Sequence, residues 1–268
     1  MDVDAQLLHR ARLLLAGELE PVLPRAAATV ALIRDTPDGL QVYLLRRQPR
    51  MAFAAGMYVF PGGSVDASDS SVELETPVTG WVGPAPSVWA GWFGTDEVTA
   101  ASLVRAAVRE TFEEAGVLLA SSMNSEATTA SLTETERADL EAGRISLSGL
   151  LARHHLALRA DRLAPLQHWI TPEPEQRRYD TWFFVAALPE GQEPREAGTE
   201  ADRRVWLSPA QALDAGLTLM PPTRAALTEL ARHGTVAEAL QALVAEREIE
   251  TVTPRFEIVG DRVAFFRD

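Results

Sequence analysis

The segment that most constrains this chain is residues 109–117, Arg-Glu-Thr-Phe-Glu-Glu-Ala-Gly-Val. If it forms a helix that ends at the glycine, Glu110, Glu113 and Glu114 share one face at spacings i, i+3 and i+4. Like charges at these spacings repel by a few tenths of a kcal/mol per pair, and the negative end of the helix dipole disfavours them further. Only Arg109 offsets them on that face, so the segment predicts a helix end that needs a cation.

The missing cation is expected to be a divalent metal ion, because Mg²⁺ and similar hard ions prefer oxygen ligands of this kind. The alternative is a solvated acidic face, which is the ordinary interpretation of an arbitrary glutamate-rich helix. The residues before the segment, described below, favour the metal site.

The charge balance limits the classes of partner. Lys and Arg number 25 and Asp and Glu number 38, so the net charge is −13, which disfavours a nucleic-acid or anionic-membrane surface. A phosphorylated small molecule stays compatible, because a bound metal and a few local arginines would mask the charge. The absence of cysteine excludes disulfides and a thiol nucleophile. No signal peptide and no apolar run of ~20 residues is visible, so we expect a cytoplasmic protein without a membrane span.

Apolar periodicity predicts helices and strands that alternate along the chain. Helices are expected over 4–17, 97–115, 133–142, 146–154, 209–215, 222–233 and 236–246. Strands are expected over 27–34, 40–47, 58–60, 117–120, 163–170, 181–188, 203–207, 255–259 and 262–266. Residues 35–39 should form a hairpin turn between the first two strands, and Pro61-Gly62-Gly63 should turn the chain sharply. Strands interleaved with helices indicate an α/β sandwich.

Residues 70–95 interrupt this pattern with an inserted loop rich in Ser, Thr, Gly and Pro. Its tryptophans, Trp81, Trp89 and Trp92, indicate that part of the loop packs against the domain, with a short helix near Trp89. The alternative is that they line a ligand pocket. Thr95 is expected to cap the long helix that follows the loop.

The acidic helix end and the glycines before it resemble the Nudix box, G-x5-E-x7-R-E-U-x-E-E-x-G-U, in which U is a bulky apolar residue. Gly63 supplies the first glycine, and residues 109–117 supply the end of the box. The run Phe60-Pro61-Gly62-Gly63 strengthens the resemblance, which covers roughly residues 25–210.

The box departs from the family pattern at three places. Asp69 stands where the family has Glu, and 39 residues (70–108) follow it where the motif has x7. Thr111 replaces an apolar residue. We therefore treat Asp69 as a candidate replacement for the box glutamate.

The interrupted box and its surroundings are similar to the mammalian peroxisomal coenzyme A diphosphatase branch of the family. The similar motifs are Met51-Ala52-Phe53-x-x-Gly56-x-x-Val59-Phe60-Pro61-Gly62-Gly63, Trp169-Ile170-Thr171-Pro172 and Arg177-Arg178-Tyr179-Asp180-Thr181. This resemblance implies hydrolysis of coenzyme A or its esters to a phosphopantetheine and an adenosine bisphosphate. In the coenzyme A signature of other Nudix enzymes an arginine stands at the position of Ala52, whereas Arg47 matches the first arginine of that signature.

The resemblance also implies a metal site for Mg²⁺ or Mn²⁺. Its implied ligands are the three box carboxylates and a carbonyl oxygen, from Glu110, Glu113, Glu114 and Gly63. The metal would bridge diphosphate oxygens, neutralise developing charge and lower the pKa of a bound water.

Two glutamates are candidates for the general base that activates this water, Glu110 and Glu200. A carboxylate bound to a dication is a poor base because the metal lowers its pKa, and this point favours Glu200. The alternative for Glu200 is an ordinary acid in a surface loop. Arg109 is a further candidate catalytic residue, and we expect it to orient Glu110 through a salt bridge.

Arginines on other segments are candidates for substrate binding. Strand alternation lets only one of Arg46 and Arg47 face the site, and we expect Arg47 to bind phosphate. Arg177 and Arg178 are candidates for binding the 3′-phosphate of a coenzyme A, with anchoring of a turn as the alternative. The histidines lack metal-ligand spacing as a set and are expected to pack or lie at the surface: His154, His155 and His168.

Together these features predict a Nudix α/β/α sandwich with a mixed sheet. We expect a helical extension over 1–24, a Nudix domain over 25–210 with its insertion at 70–95, and C-terminal helices and a hairpin over 211–268 packed on that domain. The predicted activity is metal-dependent hydrolysis of a nucleoside diphosphate linked to another moiety, coenzyme A-like substrates first. The partner would be a small nucleotide-type molecule, not nucleic acid or a membrane. The oligomeric state stays open between a monomer and the homodimer that is common among Nudix proteins.

Two alternatives stay open at this point. One is a hydrolase of nucleotide sugars, dinucleotides or oxidised nucleotides, and the other is a catalytically silent Nudix ligand sensor. The intact Glu110, Glu113 and Glu114 argue against the sensor. The insertion at 70–95 is expected to determine specificity.

Overall fold

A computed structural model of the chain describes residues 3–50, 54–70, 80–122, 132–195, 201–245 and 249–267. The strands of its central sheet are β1 Arg25–Thr36, β2 Gly39–Arg47, β3 Tyr58–Val59, β4 Gly62–Ser64, β8 Leu163–Ile170, β9 Tyr179–Ala187, β10 Ala201–Leu207 and β11 Thr251–Val252. Their order is β10-β2-β1-β9-β8-β11, with β3 on β2 and β4 on β1. Because β1 is parallel to β9 but antiparallel to β2, the sheet is mixed.

Helices cover both faces of this sheet. In chain order they are α1 Val3–Leu15, α2 Ala67–Ser70, α3 Pro86–Phe93, α4 Glu97–Ala115, α5 Glu134–Glu141, α6 Leu147–Arg153, α7 Pro209–Asp214, α8 Pro221–Leu230 and α9 Val236–Ala245. None of these described helices has the length and apolar character needed to cross a membrane.

Two hydrophobic cores lie on opposite faces, because successive residues of β1 point to opposite sides. Val30 and Leu32 belong to the core that α3 and α4 complete, whereas Ala31 and Ile33 belong to the core that α8 and α9 complete. The prediction of an α/β/α sandwich with a mixed sheet is therefore confirmed. The C-terminal helices pack on the same sheet as the predicted Nudix domain.

Two smaller sheets flank the sandwich. The strands β5 Trp81–Val82, β6 Ala120–Ser122 and β7 Leu156–Arg159 form one of them, in the order β5-β7-β6. The strands β12 Arg255–Val259 and β13 Arg262–Phe266 form a C-terminal hairpin that packs against α1. This hairpin agrees with the prediction from the sequence.

The insertion packs against the sandwich through its aromatic residues. Trp89 is fully buried on α3, and its ring centroid lies 4.8 Å from that of Trp92 and 5.8 Å from that of Phe184. Gly94 ends α3 in the left-handed conformation that favours glycine. The packing interpretation of Trp89 is confirmed.

The predicted turn after β3 is present, since β3 pairs antiparallel with β2 and β4 pairs antiparallel with β1, so the chain reverses direction between Val59 and Gly62. Gly62 and Gly63 themselves belong to β4 and pair with β1, so the reversal falls at Phe60 and Pro61. Two other local predictions are wrong. The strand expected over 117–120 begins only at Ala120. The N-cap of α4 is Asp96, whose carboxylate accepts a hydrogen bond from the Thr99 amide at 2.9 Å.

Candidate active site

The carboxyl end of α4 opens into a cavity of about 740 Å³. The helix ends there because Gly116 adopts a left-handed conformation with φ 66° and donates its amide to the Phe112 carbonyl oxygen at 2.9 Å. The three predicted carboxylates of the box reach this cavity from one face of the helix: Glu110, Glu113 and Glu114. The predicted helix end is thus the polar wall of a pocket.

Arg109 organises two of these carboxylates. It is only 4% exposed, and its Nη1 donates to Glu110 Oε1 at 2.9 Å and to Glu113 Oε2 at 3.1 Å. Its Nη2 donates to the Ser64 carbonyl oxygen at 2.8 Å and to Asp69 Oδ2 at 2.9 Å. The predicted salt bridge to Glu110 is present, and this geometry makes Arg109 a positioning residue.

Asp69 is a buried part of this arrangement. Its carboxylate receives the Arg109 Nε at 3.2 Å as well as Nη2, and it also accepts the Asp66 amide at 2.9 Å. Such a two-pronged contact with a guanidinium fixes the arginine in one orientation. Asp69 therefore holds Arg109 from the side opposite the two glutamates.

The glycines before the insertion bring the β4 backbone close to the carboxylates. The Gly62 amide donates to Glu114 Oε2 at 2.9 Å. A Cβ on Gly63 would overlap the carboxylate of Glu110, and a Cβ on Gly62 would overlap the backbone of Thr29. Both glycines are therefore required for close approach, a role that the predicted sharp turn had missed.

The electrostatics of the cluster favour an added positive charge. Burial raises the pKa of Glu110 well above its usual value, and the charges of Glu114 and Glu113 raise it further while Arg109 opposes them. Burial also raises the pKa of Glu113 to about 7 against the effect of Arg109. Burial alone would lower the pKa of Arg109, but Asp69 and the glutamates outweigh it and raise that pKa. One arginine does not compensate the acids around it.

The donor set fits a hard divalent cation, since it consists of carboxylate oxygens beside a backbone segment. Among the described residues, however, no group of three or more His, Asp or Glu side chains converges as a metal ion requires. Arg109 instead draws together one oxygen each of Glu110 and Glu113. The ligand oxygens would have to gather when a cation binds.

The predicted substrate arginines fall into different environments. Arg47 and Arg177 line the cavity. Arg46 points away and pairs with Asp202, with both nitrogen–oxygen distances at 2.7 Å, as the strand alternation requires. Arg178 is buried outside the cavity lining and donates to the carbonyl oxygens of Thr171 at 3.0 Å and Val22 at 2.8 Å. Its role is to anchor a turn, so its predicted substrate contact does not fit the structure.

The remaining predicted residues are Glu200 and the histidines, and the histidines do not line the cavity. Glu200 lies outside the described residues, although its neighbour Ala201 lines the cavity. His168 stacks on Trp182 at 4.1 Å between centroids and hydrogen-bonds Asp180, while His154 lies 2.7 Å from Glu136. These two histidines pack and pair in the structure, as their sequence spacing indicates.

The cavity is also lined by apolar residues, most of which were not predicted from the sequence as site residues. Trp169, Ile170, Thr171 and Pro172 line it, and that run was noted only as a family resemblance. Five further apolar members lie at the start of α8 and at the C-terminal hairpin or directly before these elements: Met220, Pro221, Pro222, Pro254 and Phe265. Nothing in the local sequence pattern marks these five, because they reach the cavity through long-range packing.

The described part of the insertion does not contribute to the cavity wall. Of its described residues, 70 and 80–95, none lines the cavity. The expectation that 70–95 determines specificity is therefore not supported for the described part of that segment. The cavity is lined instead by residues from the C-terminal part of the chain: Met220, Pro221, Pro222, Pro254 and Phe265.

Comparison with known proteins agrees with this geometry. A family model described as the NUDT19 Nudix domain matches residues 95–223. The chain is similar to acyl-coenzyme A diphosphatase NUDT19 of Xenopus laevis, with 25% identity over 253 residues that cover 81% of this chain and 66% of that protein. The human protein of that name is 29% identical over 237 residues, covering 75% of this chain and 63% of its own length. This chain thus spans just under two thirds of the length of these two relatives.

A solved structure gives the same fold. The crystal structure of a Nudix hydrolase from Alicyclobacillus acidocaldarius superposes with a TM-score of 0.70 at 29% sequence identity. The match covers 83% of this chain and 97% of that one. The similarity therefore extends over nearly the whole of the solved domain.

Proposed function

We propose that this chain is a Nudix hydrolase and that it hydrolyses the diphosphate of a nucleoside diphosphate linked to a second moiety, with coenzyme A and its acyl esters favoured. The observation that carries this proposal is one cavity that combines three box carboxylates and Arg47 with an apolar wall. The relatives named acyl-coenzyme A diphosphatase support the choice of substrate.

The carboxylate end of the cavity would hold the reacting diphosphate together with Mg²⁺ or Mn²⁺. Glu110, Glu113, Glu114 and the Gly63 carbonyl are the groups that would hold the cation. When bound, such a cation neutralises charge on the diphosphate oxygens and activates water. Arg109 and Asp69 do not touch the substrate in this arrangement. They keep Glu110 and Glu113 at the cavity wall.

The chemistry is a displacement at phosphorus. A water oxygen forms a bond to one phosphorus, the bridging oxygen–phosphorus bond breaks, and the bridging oxygen leaves with the second phosphate. We propose Glu200 as the base that accepts the proton of the water, because Glu110 and Glu113 are already committed to Arg109 and the cation. The position of Ala201 at the cavity wall supports this choice.

The apolar lining of the cavity suits the part of the substrate that carries no phosphate. Two aromatic residues of this lining, Trp169 and Phe265, are 7% and 39% exposed. A chain of methylene groups gains about 0.8 kcal/mol per CH₂ that leaves water here. An acyl ester of coenzyme A carries such a chain at the end remote from its adenine, which is why acyl esters are favoured.

A hydrolysis screen tests the proposal. Purified protein with Mg²⁺ would be incubated with coenzyme A, a medium-chain acyl-coenzyme A, ADP-ribose, NADH and dinucleoside polyphosphates, and products would be identified by mass spectrometry. We expect phosphopantetheine or its acyl form together with adenosine bisphosphate. Faster turnover of NADH, ADP-ribose or a dinucleotide would contradict the substrate choice. Tight binding of one compound without turnover of any would instead identify a ligand sensor.

The apolar wall can be tested within the same assay. Phe265→Ala should raise KM for the acyl ester more than for free coenzyme A, because the acyl chain loses an aromatic contact. Phe266→Ala is the matched control, since Phe266 is the next residue on β13, is 46% exposed and does not line the cavity. Equal effects of both variants on both substrates would argue against an acyl site at this wall.

A further inference from the structure

The insertion in the box separates Asp69 from Arg109 by a long connection, although the two side chains are in contact. In the motif, x7 connects the acid to the arginine, whereas here residues 70–108 connect Asp69 to Arg109. A longer connection holds its ends together less effectively, because closing it costs more chain entropy. The structure nevertheless places the Asp69 carboxylate 2.9 Å from Arg109 Nη2.

A polar stripe on α4 makes up for the long connection. Ser102, Arg105 and Arg109 are spaced i, i+3 and i+7, which puts them on one face of the helix. Each of them contacts the short helix α2. Ser102 Oγ, which donates to the Val98 carbonyl oxygen at 2.7 Å, accepts a hydrogen bond from Ser70 Oγ at 3.0 Å. Arg105 Nη1 donates to the Asp69 carbonyl oxygen at 3.0 Å. Arg109 binds the Asp69 carboxylate, so α2 is joined to α4 at three levels.

Arg105 is the charged member of this stripe that neither the motif nor the proposed reaction uses. It is 5% exposed, and its guanidinium carbon lies 5.9 Å from the ring centroid of Trp81. Trp81 belongs to the insertion and forms part of β5. A buried guanidinium between a carbonyl oxygen and an indole ring is held in place on both sides.

We propose that Arg105, supported by Trp81, is a positioning residue for the metal site. It fixes the backbone of Asp69, the Asp69 carboxylate fixes Arg109, and Arg109 fixes Glu110 and Glu113. The insertion thus supports the catalytic carboxylates from behind and leaves the substrate cavity to the C-terminal residues. This inference rests on the proposed function only in taking Glu110 and Glu113 as metal ligands.

The test compares three arginine variants of the full chain. Arg105→Met removes the donors but keeps the length of the side chain, and Arg105→Lys keeps one cationic donor. Arg159→Met is the matched control, because Arg159 is also buried, on β7, and among the described residues its side chain binds Asp161 and Ser121, which lie outside the box. For each protein one measures Mn²⁺ affinity without substrate by electron paramagnetic resonance, the melting temperature, and kcat and KM.

We expect Arg105→Met to weaken Mn²⁺ binding and lower kcat by roughly 10- to 100-fold, the range found for groups that orient metal ligands. KM for the diphosphate substrate should stay within about 2-fold, because Arg105 is remote from the cavity lining. Arg105→Lys should restore part of the Mn²⁺ affinity. Arg159→Met should lower the melting temperature and leave Mn²⁺ affinity as in the parent.

A folded Arg105→Met protein with the Mn²⁺ affinity and kcat of the parent would overturn the inference. The inference would also be overturned if Arg105→Met and Arg159→Met both lost Mn²⁺ affinity in proportion to the fall in their melting temperatures. If Arg105→Met does not fold, Trp81→Leu is measured in its place and should weaken Mn²⁺ binding by a smaller factor. A folded Trp81→Leu protein with the Mn²⁺ affinity of the parent would then overturn the inference. A parent protein that binds no Mn²⁺ would refute the metal site itself, and one that binds Mn²⁺ without cleaving any diphosphate would refute only the proposed activity.

Discussion

The raised pKa of Glu113 gives a prediction that can be worked out in magnitude. Its pKa rises from 4.5 to about 7 in the folded protein, a difference of about 2.5 units. At about 1.4 kcal/mol per unit this corresponds to about 3 kcal/mol of folding free energy. Because the folded state holds the proton more tightly, this stability is present below about pH 4.5 and is lost as the pH rises through about 7. Metal-free protein should therefore become less stable between about pH 5 and about pH 8.

Replacing Glu113 with Gln should remove most of that dependence. In guanidinium unfolding of EDTA-treated protein, the fall in unfolding free energy over this pH range should shrink by up to about 3 kcal/mol. Glu110 has a pKa shifted in the same direction, so some slope will remain. Asp96→Asn on the same helix is the control, because hydrogen bonds from Thr99 lower the pKa of Asp96 and keep it ionised throughout.

Adding Mg²⁺ at about pH 8 completes the experiment. The parent should regain stability, because a cation that binds only the folded state stabilises it, and Glu113→Gln should regain less. A metal-free parent whose stability is flat or rises from about pH 5 to about pH 8 would refute the reasoning. The same holds if Asp96→Asn and Glu113→Gln change the slope equally.

Other predictions follow from single contacts. Gly63→Ala should lower kcat at least about 10-fold, since its Cβ would displace the Glu110 carboxylate, and steady-state kinetics would show this. Arg47→Gln should raise KM roughly 10-fold through loss of a charged contact to phosphate, whereas Arg46→Gln should change KM less than about 2-fold because its ion pair is exposed. Trp89→Ala should cost about 3–5 kcal/mol of unfolding free energy by leaving a cavity in the core, as denaturant titration would measure.

Local patterns in the sequence were sufficient for most elements of the fold. The helix Glu97–Ala115 was predicted with its bounds, because its apolar positions repeat and a glycine follows its last turn. The strands of the first hairpin were predicted because apolar runs flank a turn sequence. In both cases the deciding interactions lie within one element or between neighbours in the chain.

The errors arise where distant segments decide the conformation. Gly62-Gly63 could have been a turn by composition, but pairing with Ala28 and Thr29 of β1 makes it a strand. Phe265 carries no local sign of a place at the cavity, since it arrives there through packing of the C-terminal hairpin. The acidic helix end was visible in the sequence because its like charges are locally unfavourable.

The most direct test of the account is the initial rate of coenzyme A hydrolysis as a function of Mg²⁺ concentration, for the parent and for Glu114→Gln. The parent should release phosphopantetheine and adenosine bisphosphate only when Mg²⁺ is present. Glu114→Gln should have a kcat at least about 100-fold lower, with the circular dichroism spectrum of the parent, because it lacks one carboxylate of the metal site. A Glu114→Gln protein that cleaves coenzyme A as fast as the parent would contradict the account.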